Sequence, residues 1–243
     1  YLMSYFSSGF GSEKLKETYT EAKNDTISIR KLENIEIPVP PIKEQEKIAK
    51  EYRESLKKIG VNIKDSKIAI QGFGNVGSNT AKHLARMGGN ILSISEFDKE
   101  KGIYTIYNEN GFNISDLISH FEKYNTLINY ENAKHISIDQ FYSLDVDVLI
   151  PCALENAITE EEAKKITAKL IVEGANGPVD YIADGILRQK NIGVIPDILA
   201  NSGGVIASYF EWVQNISGID MTEDDVLNKV EYKMLHAYNE IMK

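Results

Sequence analysis

Gly72, Gly74 and Gly77 stand in the order G-x-G-x-x-G, filled as Gly72-Phe73-Gly74-Asn75-Val76-Gly77. Glycines at this spacing bind phosphate through the main chain. The first permits a tight turn, the second lets the backbone approach a pyrophosphate, and the third lets a helix lie close against a strand. The helix that opens there offers unpaired N–H groups and a partial positive charge to an anion. Glu96 follows Gly77 by nineteen residues. A carboxylate at that place accepts hydrogen bonds from an adenosine ribose and repels a 2′-phosphate, which favours NAD over NADP. Asp98 adds negative charge, and Lys99 and Lys101 offset it. The plainer alternative is a glycine turn beside a surface acid. The other reactive side chains point to less. Cys152 is the single cysteine, so it makes no internal disulfide or zinc cluster, and it reads as a small buried apolar group. His83, His120, His135 and His236 show neither ligand spacing nor a nucleophile beside them, so no metal site is expected. Tyr209, Phe210 and Trp212 read as core packing, and Glu160-Glu161-Glu162 as the acidic start of a helix.

The elements that must hold the glycine motif are legible around it. Ile68-Ala69-Ile70 is a short apolar run just before the loop, and 75–87 carries Val76, Ala81, Leu84 and Ala85 on one helical face. Ile91–Ile94 reads as the next strand, followed by strands over 146–150, 170–172 and 192–195. Helices are predicted around 159–166, 178–190, 198–216 and 222–242. Strand and helix in alternation predict an α/β fold, a Rossmann-type doubly wound and mainly parallel sheet covered on both faces. Residues 102–111 read as a small hairpin inserted after the second strand.

Residues 1–58 have a different texture. A short helix over 12–19 and strands at 27–29 and 35–37 form a small α+β segment. The run Ile37-Pro38-Val39-Pro40-Pro41 ends it, and a charged connecting helix runs from Ile42 towards Ile59, stopped by Gly60. The texture changes at Gly60, and the two resemblances given below divide the chain near residue 50, with 51–243 expected as the nucleotide-binding domain.

With 42% apolar and 26% charged residues in 243, the chain has the composition of a folded globular protein. It has no apolar run long enough for a transmembrane helix and no secretory leader at Tyr1–Phe6, so a reducing cytoplasm is the expected setting. The first residue is not Met, which reads as a piece of a longer chain. Residues 1–58 carry 11 Lys and Arg against 10 Asp and Glu, whereas 59–243 carry 16 against 26. So acidic a main part argues against nucleic-acid binding, which needs a cationic surface.

Residues from about 53 to 240 resemble the cofactor-binding domain of glutamate dehydrogenases. The resemblance rests on four ordered blocks: 69–77, with its glycine motif; Ile150-Pro151-Cys152-Ala153-Leu154-Glu155-Asn156; Val172-Glu173-Gly174-Ala175-Asn176-Gly177-Pro178; and Pro196–Val205, continuing through Ser208-Tyr209-Phe210-Glu211-Trp212. It implies that Ala153 and Asn156 lie along the cofactor and that Asn176 contacts the nicotinamide riboside. It implies also that Asn201 holds the carboxamide, and that Val205 and Ser208 line the pocket for the substrate side-chain carboxylate, Ser208 as a hydrogen-bond donor. Each asparagine has an alternative role as a turn residue with unusual backbone angles, and Ser208 as a buried helix serine. Family members place two lysines and an aspartate in a preceding substrate domain, with the main lysine flanked by glycines. No lysine in residues 1–66 has that setting. The expectation is therefore that this chain carries no catalytic residue and binds NAD without turning over glutamate. As a further consequence of the resemblance, a monomer or weak dimer is expected.

Residues 1–50 resemble the end of a target-recognition domain in a type I restriction-modification specificity subunit, through Tyr1–Ser8, Ile27–Leu32 and the I-P-x-P-P-x-x-x-Q-x-x-I run at 37–48. That resemblance keeps two alternatives open, a DNA-specificity or partner-binding module and an inactive fusion, although DNA binding is not expected of so short a remnant.

Overall fold

The computed structural model describes residues 59–242. The readings made above for residues 1–58, including the proline punctuation and the specificity-subunit resemblance, lie outside the described residues. Gly60 stands at φ +57°, a left-handed conformation that glycine adopts without strain.

One seven-stranded sheet organises the chain. Its strands are β1 (Lys67–Gln71), β2 (Asn90–Asp98), β3 (Gly102–Tyr107), β4 (Lys134–Ile136), β5 (Val148–Pro151), β6 (Leu170–Val172) and β7 (Gly193–Ile195), in the spatial order β4-β3-β2-β1-β5-β6-β7. β2, β1, β5, β6 and β7 run parallel, and β3 and β4 extend one edge antiparallel. The helices are α1 (Asn75–Arg86), α2 (Ile114–Tyr124), α3 (Ile138–Tyr142), α4 (Glu160–Lys165), α5 (Tyr181–Gln189), α6 (Asp197–Ala200), α7 (Ser202–Ser217) and α8 (Glu223–Met242).

Side-chain alternation along the strands divides the core into two layers. Ile68, Ile70, Val148 and Ile150 point to the layer that holds Phe73, Ala81 and Leu117 of α1, α2 and their loops. Ala69, Leu149 and Ile171 point to the opposite layer, with Ala163, Ala183 and Leu187 of α4 and α5. Each of the larger side chains, Ile, Leu, Val or Phe, taken fully from water contributes about 1.5–3 kcal/mol. An irregularity between Ile68 and Ala69 lets β2 skip a residue, so Ile91 and Ile94, three apart, share the first layer. Local capping agrees with the layout. Asp180 accepts from Ala183 N at 2.6 Å at the start of α5, and Thr159 and Glu162 form a reciprocal cap on α4.

The doubly wound, mainly parallel α/β fold is as read from the sequence, and four details differ. Residues 102–107 form one strand whose partner is β2, so the hairpin joins β2 to β3 rather than lying within 102–111. The buried face of α1 is set by Gly77 and Ala81, and Val76, one position off that stripe, is 50% exposed. The helix expected over 198–216 is broken at Asn201 into α6 and α7. On α7 only Phe210 is buried. Tyr209 and Trp212 are 51% and 57% exposed, because neighbours separated by 100° or 200° around a helix cannot all face the same layer. Helices α2 and α3 and strand β4 have no counterpart in the sequence reading. Among the described residues no helix is long and apolar enough to cross a membrane.

Candidate functional site

The chain leaves β1 for β2 on one side and returns to β5 on the other, so the strand order reverses at β1. In open α/β sheets ligands bind outside the carboxyl ends of the strands at such a point. The glycine motif lies there. Gly72 takes φ +92°, which only glycine adopts without strain, and donates its N–H to the Ser95 carbonyl at 2.6 Å. A Cβ on Gly72 would come within 3.0–3.1 Å of the Ala153 main chain, so the loops after β1 and β5 touch. A Cβ on Gly77 would overlap the Gly72 carbonyl oxygen, so only glycine lets α1 lie this close to its own entry loop. Above Gly74, by contrast, there is open space.

Gly74 precedes α1, no side chain caps the helix, and its first turn contains no acid. Its leading N–H groups and dipole thus face a gap bounded by glycine, an arrangement that fits a pyrophosphate. Phe73 contributes backbone only. Its ring is fully buried, edge-on to Phe121 at 5.5 Å between centroids. Its N–H donates to Glu96 Oε2, while Glu96 Oε1 accepts from Phe97 N at 2.7 Å, so Glu96 lies against the glycine loop at the end of β2. Asn75 and Val76 are exposed on the first turn, and the Asn75 amide oxygen accepts from Asn79 at 3.1 Å.

The loops after β5, β6 and β7 continue the same edge. Ala175 and Gly174 donate to the Pro151 carbonyl at 2.9 and 3.0 Å, and a Cβ on Gly174 would press on Cys152. Asn156 takes φ +52° and donates its N–H to the Gly177 carbonyl at 2.8 Å, so its backbone has the turn role open to it from sequence. Asn176 and Asn201 meet: the Asn201 amide donates to Asn176 Oδ1 at 2.7 Å and to the Ala175 carbonyl at 3.3 Å. That reach explains the break between α6 and α7, because Asn201 leaves helical geometry (φ −107°, ψ 2°) and bonds across to the β6 loop instead of capping α7. Val205 and Ser208 lie further along α7 on its open side, Val205 being 74% exposed. Ser208 is exposed as well and is therefore not a buried helix serine.

Two acids beneath this row were not singled out from sequence. Glu173 and Asp197 are both buried. Glu173 Oε2 accepts from Asp197 N at 2.8 Å, and Asp197 Oδ2 accepts from Gly177 N at 2.8 Å. Burial pushes the Glu173 carboxyl up to about 7, assisted by the charges of Asp197 and Asp184 and opposed by hydrogen bonds from the backbone of Asp197 and Val179. The only sequence trace of them is an acid just past each of two apolar strands, Glu173 directly after Leu170–Val172 and Asp197 one proline beyond Gly193–Ile195. A second hidden support joins Gln71 Nε2 to the Tyr142 hydroxyl at 2.9 Å, and Tyr142 donates in turn to the Ala157 carbonyl at 3.0 Å. Burial raises the Cys152 thiol to about 11, which keeps it protonated at neutral pH and unsuited to be a nucleophile. Among the described residues no group of three His, Cys, Asp or Glu side chains is placed to hold a metal.

A doubly wound sheet whose glycine turn, strand-end acid and polar loops share one carboxyl edge defines a Rossmann-type nucleotide-binding domain. The model of the Glutamate/Leucine/Phenylalanine/Valine dehydrogenase family matches residues 48–243, and the chain belongs to that family. It is 46% identical over 190 residues to the NAD-specific glutamate dehydrogenase of Peptoniphilus asaccharolyticus, covering 78% of this chain and 45% of that protein. A crystal structure of glutamate dehydrogenase from that organism superposes with a TM-score of 0.62 at 42% identity, covering 79% of this chain and 43% of the other. The NADP-specific glutamate dehydrogenase of Saccharolobus shibatae is 40% identical over 187 residues, 77% of this chain and 43% of its own. The hetero-hexameric glutamate dehydrogenase from Thermus thermophilus in its Leu-bound form matches with a TM-score of 0.66 and 26% identity, over 77% of this chain and 43% of that one. The chain thus spans a little under half the length of these relatives.

Proposed function

We propose that residues 51–243 bind a nicotinamide dinucleotide, NAD in preference to NADP, and serve as the cofactor-binding half of a glutamate dehydrogenase. The observation that carries this reading is the unbroken row of contacts along the carboxyl edge of the sheet. Glu96 touches Phe73, Gly72 lies against Ala153, Asn156 bonds to Gly177, and Asn176 bonds to Asn201. A ligand laid along that row meets a ribose acceptor at Glu96, a phosphate site at the glycine loop and two carboxamides beyond it, the order of groups in a dinucleotide.

In this reading the main chain at Gly72–Gly77 and the start of α1 hold the pyrophosphate. Glu96 accepts from the adenosine ribose and, as a carboxylate, rejects a 2′-phosphate. Ala153 and Asn156 flank the cofactor, Asn176 faces the nicotinamide riboside, and Asn201 orients the carboxamide. The bound nucleotide supplies hydride acceptance at its nicotinamide ring. In the same reading Val205 and Ser208 take the role that the family resemblance implies, receiving the side-chain carboxylate of glutamate or 2-oxoglutarate, with Ser208 donating. The family resemblance assigns the α-amino chemistry to a glycine-flanked lysine, a setting that residues 1–66 do not contain.

The test is a fluorescence titration of the 243-residue chain with NADH and NADPH, beside an assay for glutamate-dependent NAD reduction. Saturable binding with NADH the tighter ligand, and no reduction, is the expected outcome. Failure of NADH to bind at millimolar concentration ends the reading.

A further inference from the structure

Asp197 is the joint between the two asparagines. Its Oδ2 accepts from Gly177 N at 2.8 Å, next to Asn176, and its carbonyl accepts from Asn201 N at 2.9 Å. Its Oδ1 accepts from Ile198 N at 2.6 Å. Below it Glu173, the first residue after β6, accepts from Asp197 N at 2.8 Å. Both acids are more than nine-tenths buried, so neither is a surface charge that water can screen.

We propose that Glu173 and Asp197 are positioning residues for the nicotinamide end of the site, and that the protonation of Glu173 sets how firmly Asn176 and Asn201 are held. This rests on the dinucleotide-binding reading above and adds a pH dependence to it. With Glu173 neutral, the two carboxyl groups share the buried pocket without repulsion, and Asp197 keeps its bonds to Gly177 and Ile198. Charging Glu173 sets it against Asp197 from α6 and Asp184 from α5, the latter paired with Arg188 at 2.8 Å. The repulsion falls on Asp197, the residue that ties the β6 loop to α6. Burial brings this proton loss to about pH 7, so the change falls in an accessible range. The glycine loop lies at the other end of the row and does not share these bonds.

The experiment compares NADH with ADP, which lacks the whole nicotinamide riboside, on the full chain between pH 6 and 8.5. The NADH dissociation constant is expected to rise about threefold to tenfold across pH 7, the size of one hydrogen bond's net contribution, while that of ADP stays level. Glu173→Gln, which keeps the acceptor and removes the titration, should hold NADH at its low-pH affinity throughout. Asp197→Asn should weaken NADH at every pH and leave ADP unchanged, which also verifies that the variant is folded. Persistence of the pH step in Glu173→Gln, or ADP following NADH in either variant, overturns the inference while leaving the binding reading intact. Absence of NADH binding to the unaltered chain at millimolar concentration overturns the binding reading itself, and the inference with it.

Discussion

The two ends of the site are built by different means. The β1–α1–β2 end is made of backbone: Gly72 and Gly77 stand where a side chain would collide, Gly74 opens onto free space, and the helix terminus has no acid on its first turn to compete with an anion. The β6–β7 end is made of side chains. Two asparagines bond to each other above two buried acids that hold their loops. A backbone site is fixed by sterics and tolerates little. A side-chain site is tuned by charge and answers to pH. That contrast predicts different kinds of failure at the two ends.

The largest effect belongs to the glycine end. Gly77→Ala forces a methyl into the Gly72 carbonyl, so α1 must shift off its loop, at an expected cost of about 3 kcal/mol in denaturant unfolding. ADP-ribose binding should fall with it by more than about tenfold, whereas a merely decorative glycine would leave both unchanged.

Glu173→Gln sharpens the comparison from the other end. The folded-state value of about 7 lies above the ordinary 4.5, so the folded protein keeps a proton that the unfolded chain releases. The stability this confers is complete below pH 4.5, declines as pH rises to 7, and is flat beyond. The decline amounts to about 3 kcal/mol. Urea midpoints at pH 5 and pH 8 should show the unaltered chain losing more stability than Glu173→Gln over that interval. Equal losses in the two proteins would place the titration elsewhere.

Why one end was readable and the other was not follows from this difference. Steric demand leaves a mark in residue type: G-x-G-x-x-G before an amphipathic run is visible in one dimension, and so is the apolar alternation at Ile68, Ala69 and Ile70. Glu96 was legible because its place at the end of the second strand is set by spacing alone. Burial of an acid leaves no such mark. Glu173 and Asp197 look like any polar residue after a strand until the fold covers them. The bond from Asn201 to Asn176 spans 25 residues, so the helix expected over 198–216 gave no sign of its break. Aromatic type alone assigns Tyr209 and Trp212 to the core, whereas the direction of each side chain around α7 decides burial and leaves both more than half exposed.

Smaller effects separate the ends further. Glu96→Ala removes the acceptor beside Phe73 N and the charge that opposes a 2′-phosphate, so the preference for NADH over NADPH should shrink about tenfold in paired titrations. Tyr142→Phe cuts the bridge between Gln71 and the Ala157 carbonyl, both partly buried. It should cost about 1–2 kcal/mol of stability with NADH affinity nearly unchanged.

The central claim is that a dinucleotide lies along the carboxyl edge of this sheet, and nuclear magnetic resonance of the isotope-labelled full chain titrated with NADH tests it most directly. The account predicts that the backbone amides of Gly74, Asn75 and Val76 and the side-chain amides of Asn176 and Asn201 shift together as one saturable event. Shifts confined to another surface, such as the cleft lined by Asn108, Asp116 and Tyr130 between α2 and the β3–β4 edge, would contradict it.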